Sequence, residues 1–204
     1  MEVFAKIILC SEWQTILDIV IMALLNIINP SDPVLRRKAK KVTRFDGKLQ
    51  NLIDNMIETM HDAPGIGLAA PQVSESLRLF VVHVEEDPDV ENNAVGVNDN
   101  TIPGLGRMHV MINPRITYLS SESAVRTEGC LSLPGYLGDV CRPLEISVKY
   151  TDRHGQKRKL NTNGWMARVI QHEYDHLEGE LFIDKAEKIW LAEQDSQDEG
   201  KTSN

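Results

Sequence analysis

Residues 171–179 constrain the fold of this chain more than any other segment, because they contain the pattern His-Glu-x-x-His. On a helix, His172 and His176 leave the same face, so both imidazoles can bind one metal ion. Glu173, beside the first of them, can take the proton of an attacking water molecule. The pattern therefore predicts a helix with two inward histidines and points to metal-assisted hydrolysis of an amide-like bond.

The residues around this pattern favour a half-buried helix over an exposed one. Apolar residues recur before it at helical spacing: Trp165, Met166, Val169 and Ile170. Asn163 or Thr162 can cap the start, and Gly179 is a typical helix stop. Two histidines on the buried face of such a helix need a partner, and a metal ion is the partner that fits both.

Hydrolytic sites of this type use three protein ligands and leave one position for water. Besides many carboxylates, the candidates for the third ligand are the remaining cysteines and histidines: Cys10, Cys130, Cys141, His61, His83, His109 and His154. Cys130 stands out because Gly129 precedes it and Pro134 and Gly135 follow, and a tightly folded segment can present one thiolate. The three scattered cysteines form no Cys-x-x-Cys pair, which favours a reducing compartment over a disulfide framework.

A third segment, residues 64–73, is rich in glycine and alanine. Small residues let another backbone pass closely, as a bound peptide strand would. Gln72 offers a neutral amide that can hold a developing oxyanion. Taken alone, such a segment is more often a tight turn packed against a helix, and a single glutamine usually lies at the surface.

Together the three segments resemble peptide deformylase. The matching motifs are Gly-x-Gly-x-Ala-Ala-x-Gln at residues 65–72, Glu-Gly-Cys-Leu-Ser at 128–132 and Gln-His-Glu-x-Asp-His-Leu-x-Gly at 171–179. The resemblance extends from about residue 22 to about residue 188. It implies an enzyme that removes the formyl group from the N-terminal formyl-methionine of newly synthesised proteins and releases formate.

The resemblance also implies roles for individual residues. The metal ligands would be Cys130, His172 and His176. Glu173 would act first as general base and then as general acid, while Gln72 and the backbone N–H of Leu131 would stabilise the oxyanion. A thiolate ligand suits iron or zinc better than magnesium or calcium. The resemblance favours Fe²⁺, with Zn²⁺, Ni²⁺ or Co²⁺ as possible substitutes.

Substrate binding is expected on both sides of the metal. By the same resemblance, Ile66 and Gly67 would contact the peptide backbone as an added strand. Trp165 and Val169 precede His172 on its helix, and we expect them to line the methionine pocket together with Ile66.

Two arginines near this pocket need an explanation. Arg168 stands where related enzymes often carry an aliphatic residue, and we interpret it as a solvated residue or as one at the rim. Glu128, beside the thiolate, would be repelled by it unless paired. Arg142 stands where the family usually supplies the partner, so the resemblance implies a Glu128–Arg142 pair.

The remaining patterns predict an α+β fold, with antiparallel sheets packed around a central metal-binding helix. A second amphipathic helix is expected over residues 46–61, strands over 79–84, 108–112, 116–119 and 144–151, and the end of a helix over 186–192. Residues 22–192 would form one catalytic domain. We expect residues 1–21 to be an extra helix or to precede the true start at Met22, 85–106 to be a mobile acidic loop, and 193–204 to be a disordered tail.

Charge and composition limit the partners. A net charge of −8 argues against direct binding to nucleic acid, although substrates that emerge from the ribosome could bring the enzyme close to it. Residues 1–21 are too acidic for a secretory or transit peptide, and the run 16–28 is short for a membrane span. We therefore expect a bacterial cytoplasmic enzyme, not an organellar or membrane protein, that acts on N-formyl-methionyl nascent peptides.

Two other functions share some of these features. A zinc peptidase that cuts internal bonds shares His-Glu-x-x-His, but it typically finds a third ligand as Glu or His further along the chain. No histidine follows His176, and the segment around Cys130 would have no role. A non-catalytic protein that only holds metal or peptide would require neither Glu173 nor Gln72.

Overall fold

The computed structural model describes residues 23–85 and 102–192. Its helices and strands are, in chain order, α1 (Gly47–Asp62), β1 (Gly67–Ala69), β2 (Leu79–Val82), β3 (His109–Leu119), β4 (Ser123–Cys130), β5 (Leu133–Pro143), β6 (Glu145–Thr151), β7 (Lys157–Asn163), α2 (Gly164–Glu178) and β8 (Ala186–Leu191). All the strand pairs between these elements are antiparallel.

The strands form two sheets. One has five strands in the order β1-β2-β3-β6-β7, and the other has three in the order β4-β5-β8. Helix α2 contacts strands of both sheets, so its two sides are covered by different parts of the chain. The predicted α+β class, with antiparallel sheets around a central helix, is confirmed.

Strand β2 explains how the two helices are held. Leu79 and Val81 belong to the apolar cluster that contains α1, whereas Phe80 and Val82 belong to the cluster that contains α2. Because successive side chains leave opposite faces of a strand, the five-stranded sheet has one helix on each side. All four side chains are fully buried, and each contributes about 1.5–3 kcal/mol to stability.

Helix α1 begins and ends close to the predicted positions. The Asp46 side chain accepts a hydrogen bond from the backbone N–H of Leu49, which satisfies one free donor of the first turn. Helix α2 ends at Gly179, whose φ of 81° is the left-handed conformation expected of a helix stop. Neither candidate cap works at its start: the Asn163 side chain makes no capping bond, and the Thr162 hydroxyl donates to the carbonyl of Pro103.

The strand predictions were correct in position but incomplete. The two short strands predicted at 108–112 and 116–119 form the single strand β3, which continues through Asn113 with irregular register and a positive φ at that residue. Strands β1, β4, β5, β7 and β8 were not predicted. Several of these are largely polar, because one face of each lies towards solvent, so the apolar runs that indicate strands are missing.

The helix predicted over residues 186–192 is wrong. These residues form β8, which pairs with β5 so that Leu191 lies opposite Tyr136 and Ile189 opposite Gly138. The backbone hydrogen bonds of that pairing are long-range and leave no signal in the local sequence. Gly138 makes close packing possible there, because a Cβ atom on it would lie 2.9 Å from Phe182 Cε2 and 3.0 Å from Ala186 Cβ.

Three predictions concern residues outside the described ranges: the N-terminal extension 1–21, most of the acidic loop 85–106 and the tail 193–204. No helix in the described part of the chain is long and apolar enough to cross a membrane. The described cysteines, Cys130 and Cys141, are both free thiols.

Candidate active site

Helix α2 and the end of β4 bring three metal-binding side chains together. His172 and His176 lie one turn apart on the buried face of α2, with ring centroids 5.2 Å apart. Cys130 ends β4, and its Sγ lies 3.4 Å from His176 Nε2. The ligand atoms of these three residues all lie within 4.8 Å of one another. Among the described residues, no other group of three or more such side chains was found.

The chemistry of these residues fits a transition metal. One sulfur and two imidazole nitrogens are ligands that iron and zinc accept and that magnesium and calcium avoid. Burial lowers the pKa of His176 well below its ordinary value, which keeps the neutral form that can bind a metal. Burial also opposes protonation of His172, but hydrogen bonds with Cys130 and Glu128 outweigh it and raise its pKa.

Glu173 lies in the same buried region with an unsatisfied oxygen. Its Oε2 is one of two buried polar side-chain atoms in the described part of the chain without a hydrogen-bond partner, the other being His176 Nδ1. Burial raises the pKa of Glu173 to about 7, so this carboxylate can both accept and return a proton near neutral pH. Gly67 of β1 packs directly against it, because a Cβ atom there would lie 2.8 Å from Glu173 Cδ.

Glu128 holds His172 in place through the ring nitrogen that faces away from the metal-binding group. Its Oε2 lies 3.0 Å from His172 Nδ1, which leaves Nε2 of that ring available to a metal. Arg142 donates to both carboxylate oxygens at 2.6 and 2.8 Å, so the predicted Glu128–Arg142 pair is confirmed. Burial alone would raise the pKa of Glu128, but the hydrogen bonds from Arg142 and His172 hold it at about 2. The carboxylate is thus ionised at any pH at which the protein would work.

Asp175 extends this network and was not singled out in the sequence. It accepts a hydrogen bond from Arg142 at 2.8 Å and pairs with Lys185 on its other oxygen at 2.5 Å. Asp175 lies inside the motif at 171–179, but the local sequence of a helix does not show that Arg142 of β5 approaches it. The buried charges are paired, as charges away from water must be.

The interpretation of Arg168 as a solvated residue is wrong. Its accessible surface is only 4% of the maximum, and its guanidinium donates to Glu128 Oε1 at 2.6 Å and to the carbonyl of Val140 at 2.9 Å. A third bond, of 2.7 Å, goes to the carbonyl of Ala124. The long aliphatic stem lets an arginine lie on a buried helix face while its charged end reaches distant acceptors.

Gln72 approaches the metal-binding group from the opposite side. It is almost fully buried, and its Oε1 accepts a hydrogen bond from the backbone N–H of Ala69 at 2.7 Å. That bond orients the amide so that Nε2 lies 3.6 Å from Cys130 Sγ and 3.4 Å from Ser132 Oγ. Ser132, with Leu131, forms the connection between β4 and β5. Both the amide donor of Gln72 and the Leu131 segment thus lie beside the thiol.

A cavity of about 370 Å³ opens onto this group. All the predicted substrate-binding residues line it: Ile66, Gly67, Trp165 and Val169. The cavity wall also contains residues to which the resemblance assigns catalytic or metal-binding roles: Gln72, Cys130, Leu131, His172 and Glu173. Its wall also contains residues of β5 that were not predicted, among them Leu133, Tyr136 and Leu137. They were missed because the sequence patterns predict no strand directly after Cys130, whereas β5 pairs antiparallel with β4.

The sequence and fold are similar to those of known proteins. The sequence model of the polypeptide deformylase family matches residues 24–190. A peptide deformylase of Natranaerobius thermophilus is 41% identical over 173 residues, which cover 85% of this chain and 99% of that protein. The peptide deformylase structure from Thermotoga maritima matches with a TM-score of 0.69 and 38% identity, covering 81% of this chain and 99% of the other. The structure from Ehrlichia chaffeensis matches with a TM-score of 0.74 and 36% identity, covering 81% and 89%.

Proposed function

Because the chain belongs to the polypeptide deformylase family, we propose that its active site is the buried group Cys130, His172, His176 and Glu173. The protein is a metal-dependent hydrolase that removes the formyl group from N-terminal formyl-methionine and releases formate. The observation that carries the assignment of the site is the convergence of one sulfur and two ring nitrogens from separate elements within 4.8 Å.

In the proposed mechanism Cys130, His172 and His176 hold the metal ion. A metal bound there acts as a Lewis acid that makes water a stronger nucleophile near neutral pH. Glu173 takes the proton of the attacking water and later delivers it to the leaving amine. Burial favours this role, since it raises the pKa of Glu173 above the ordinary value of a glutamate. The C–N bond of the formamide breaks, formate leaves, and the peptide keeps a free amino terminus.

The negative charge that develops on the formyl oxygen needs fixed donors. Gln72 Nε2 is oriented by the Ala69 backbone, and we assign it to this oxygen together with the backbone N–H of Leu131. Loss of one such donor typically costs about 10²–10³ in rate. Because the Gln72 amide is buried and held, it requires little reorganisation when the charge appears.

The substrate would bind along β1 and in the cavity beside α2. Strand β1 lies at one end of the five-stranded sheet. The carbonyl of Ile66, just before it, already accepts a hydrogen bond from the His83 N–H, so an extended peptide would pair with the remaining outward backbone groups of Ile66 and Gly67. The methionine side chain would enter the cavity next to Trp165 and Val169. Ile66 is 38% exposed at this cavity, and a bound peptide would cover it.

Fe²⁺ is our proposal for the working ion, with Zn²⁺, Ni²⁺ or Co²⁺ as substitutes. We also propose that residues 22–192 form the catalytic domain and that the enzyme acts on nascent chains in a bacterial cytoplasm, near the ribosome but without binding nucleic acid. The ligand chemistry supports a transition metal, and the net charge of −8 supports the absence of nucleic-acid binding.

One assay tests this function against its alternatives. Protein purified without oxygen and loaded with iron is expected to release formate from formyl-Met-Ala-Ser. Cleavage of casein within the chain would instead identify a peptidase, and peptide binding without turnover a non-catalytic protein. Glu173→Ala should keep the metal and lose nearly all turnover, whereas Cys130→Ala should lose both. Metal analysis of each variant separates these outcomes.

A further inference from the structure

A phenylalanine packs against one of the three candidate metal ligands. The ring of Phe182 is stacked on the imidazole of His172, with the ring centroids 6.1 Å apart and the ring planes 23° from parallel. Aromatic rings at such separations attract each other in offset arrangements. Phe182 is 1% exposed, so this contact lies inside the protein. One face of the His172 ring is therefore covered by an apolar residue that follows α2 in the chain.

Phe182 is itself held closely by its surroundings. A Cβ atom on Gly138 would lie only 2.9 Å from Phe182 Cε2, so β5 packs tightly against the edge of the ring. The backbone N–H of Leu181, just before it, donates to the Asp184 carboxylate at 2.8 Å, and this bond closes the turn that carries Phe182. The ring therefore gives the histidine a fixed surface to lie against.

Glu128 alone does not fix the plane of the His172 imidazole. The hydrogen bond between Glu128 Oε2 and His172 Nδ1 sets the position of that nitrogen, but the ring can still turn about the line that joins the two atoms. The second side-chain torsion of a histidine is broad, so the side chain itself restricts this turning little. A flat ring on the face of the imidazole opposes it, because turning would lose contact on one side and cause a clash on the other.

We infer that Phe182 is a positioning residue of the metal site, which holds the plane of His172 while Glu128 holds its Nδ1. The inference rests on the proposed function, because His172 is one of the proposed metal ligands. The apolar cluster that contains Phe182 also packs against Cys130, so it supports a second ligand from the same side. Loss of a group that orients a ligand typically costs about 10–100-fold in metal affinity.

The test replaces the ring of Phe182 and measures metal release. Wild-type protein, Phe182→Leu and Phe182→Met are loaded with Co²⁺, and the loss of the ion to an excess of chelator is followed by its visible absorption. We expect both variants to release cobalt about tenfold faster than the wild type. The absorption spectrum of the bound ion should also change, because it reports the geometry of its ligands. Methionine nearly conserves the volume of phenylalanine, so this variant is expected to remain folded.

Phe80→Leu is the matched control. Phe80 is also fully buried, but the apolar cluster that contains it includes none of the three ligands. This variant should lower the urea midpoint, as Phe182→Leu does, and should leave cobalt release and the spectrum unchanged.

Two results would overturn the inference while the proposed metal site stands. In one, both Phe182 variants show cooperative urea transitions and release cobalt at the wild-type rate. In the other, Phe80→Leu accelerates the release as much as Phe182→Leu does, so that general loosening of the core explains the effect. A wild-type protein that binds no cobalt would overturn the proposed active site itself, on which the role of Phe182 depends.

Discussion

Gly67→Ala tests whether the position of the Glu173 carboxylate limits catalysis. The new Cβ atom would lie 2.8 Å from Glu173 Cδ and 2.9 Å from its Cγ, whereas ordinary contacts begin at 3.4 Å. It would lie closer still to Glu173 Oε1, so the carboxylate must move by about 1 Å to restore an ordinary contact. A misplacement of about 1 Å can cost about 10² in rate, so we expect kcat/KM to fall by about 10- to 100-fold. None of the three nearest atoms to this Cβ belongs to Cys130, His172 or His176, so metal content should stay at one ion per chain.

The assay is formate release from formyl-Met-Ala-Ser under anaerobic conditions, with iron measured on the same sample. Gly47→Ala is the matched control, because nothing lies within 4 Å of its added Cβ. At that position alanine should leave activity unchanged and stabilise the protein by about 0.4–1 kcal/mol. Full activity in Gly67→Ala, with the metal retained, would refute the argument that the close packing on Glu173 sets its catalytic position.

Three further substitutions test the surroundings of the site. Glu128→Ala leaves two buried arginines without their carboxylate, so the free energy of unfolding should fall by about 3–5 kcal/mol. Because His172 also loses its hydrogen-bond partner, iron should dissociate more readily on dialysis, and unchanged iron content would count against the role of Glu128 in holding His172. Gly179→Ala places a side chain at a residue in the left-handed conformation, against the Arg36 backbone. The free energy of unfolding measured in urea should therefore fall by about 1–3 kcal/mol. An unchanged urea midpoint would contradict this close packing. Burial lowers the pKa of His109 below 6.5, so the unfolded chain binds this proton first as the pH falls, and the free energy of unfolding decreases from about pH 7 downward. His109→Gln should reduce that decrease, measured by urea titrations at about pH 7.5 and 5.5. An identical pH dependence in the variant would show that the pKa shift is absent.

Local sequence was sufficient to predict helices α1 and α2 and to single out the three side chains that the structure brings together, but it also predicted a helix over residues 186–192 that is a strand. The period of apolar residues in α1 and α2, and the spacing of His172 and His176, are set by helix geometry and need no knowledge of the rest of the fold. Cys130 and Gln72 could be named because their surroundings are unusual in composition. Strands such as β4 and β7 were not predicted, because their residues are largely polar and what makes them strands is backbone pairing with other segments of the chain.

The sequence by itself therefore determined which side chains could do chemistry, and the tertiary structure decided how they are supported. Whether Arg168 faces water or Glu128 depends on β4 and β5 closing over that side of α2, which no local pattern of α2 contains. The same holds for β8. Its residues are compatible with the end of a helix, and they form a strand because they pair with the backbone of β5. In both cases the deciding free energy comes from acceptors and backbone donors far away in the chain, and these meet only once the protein has folded.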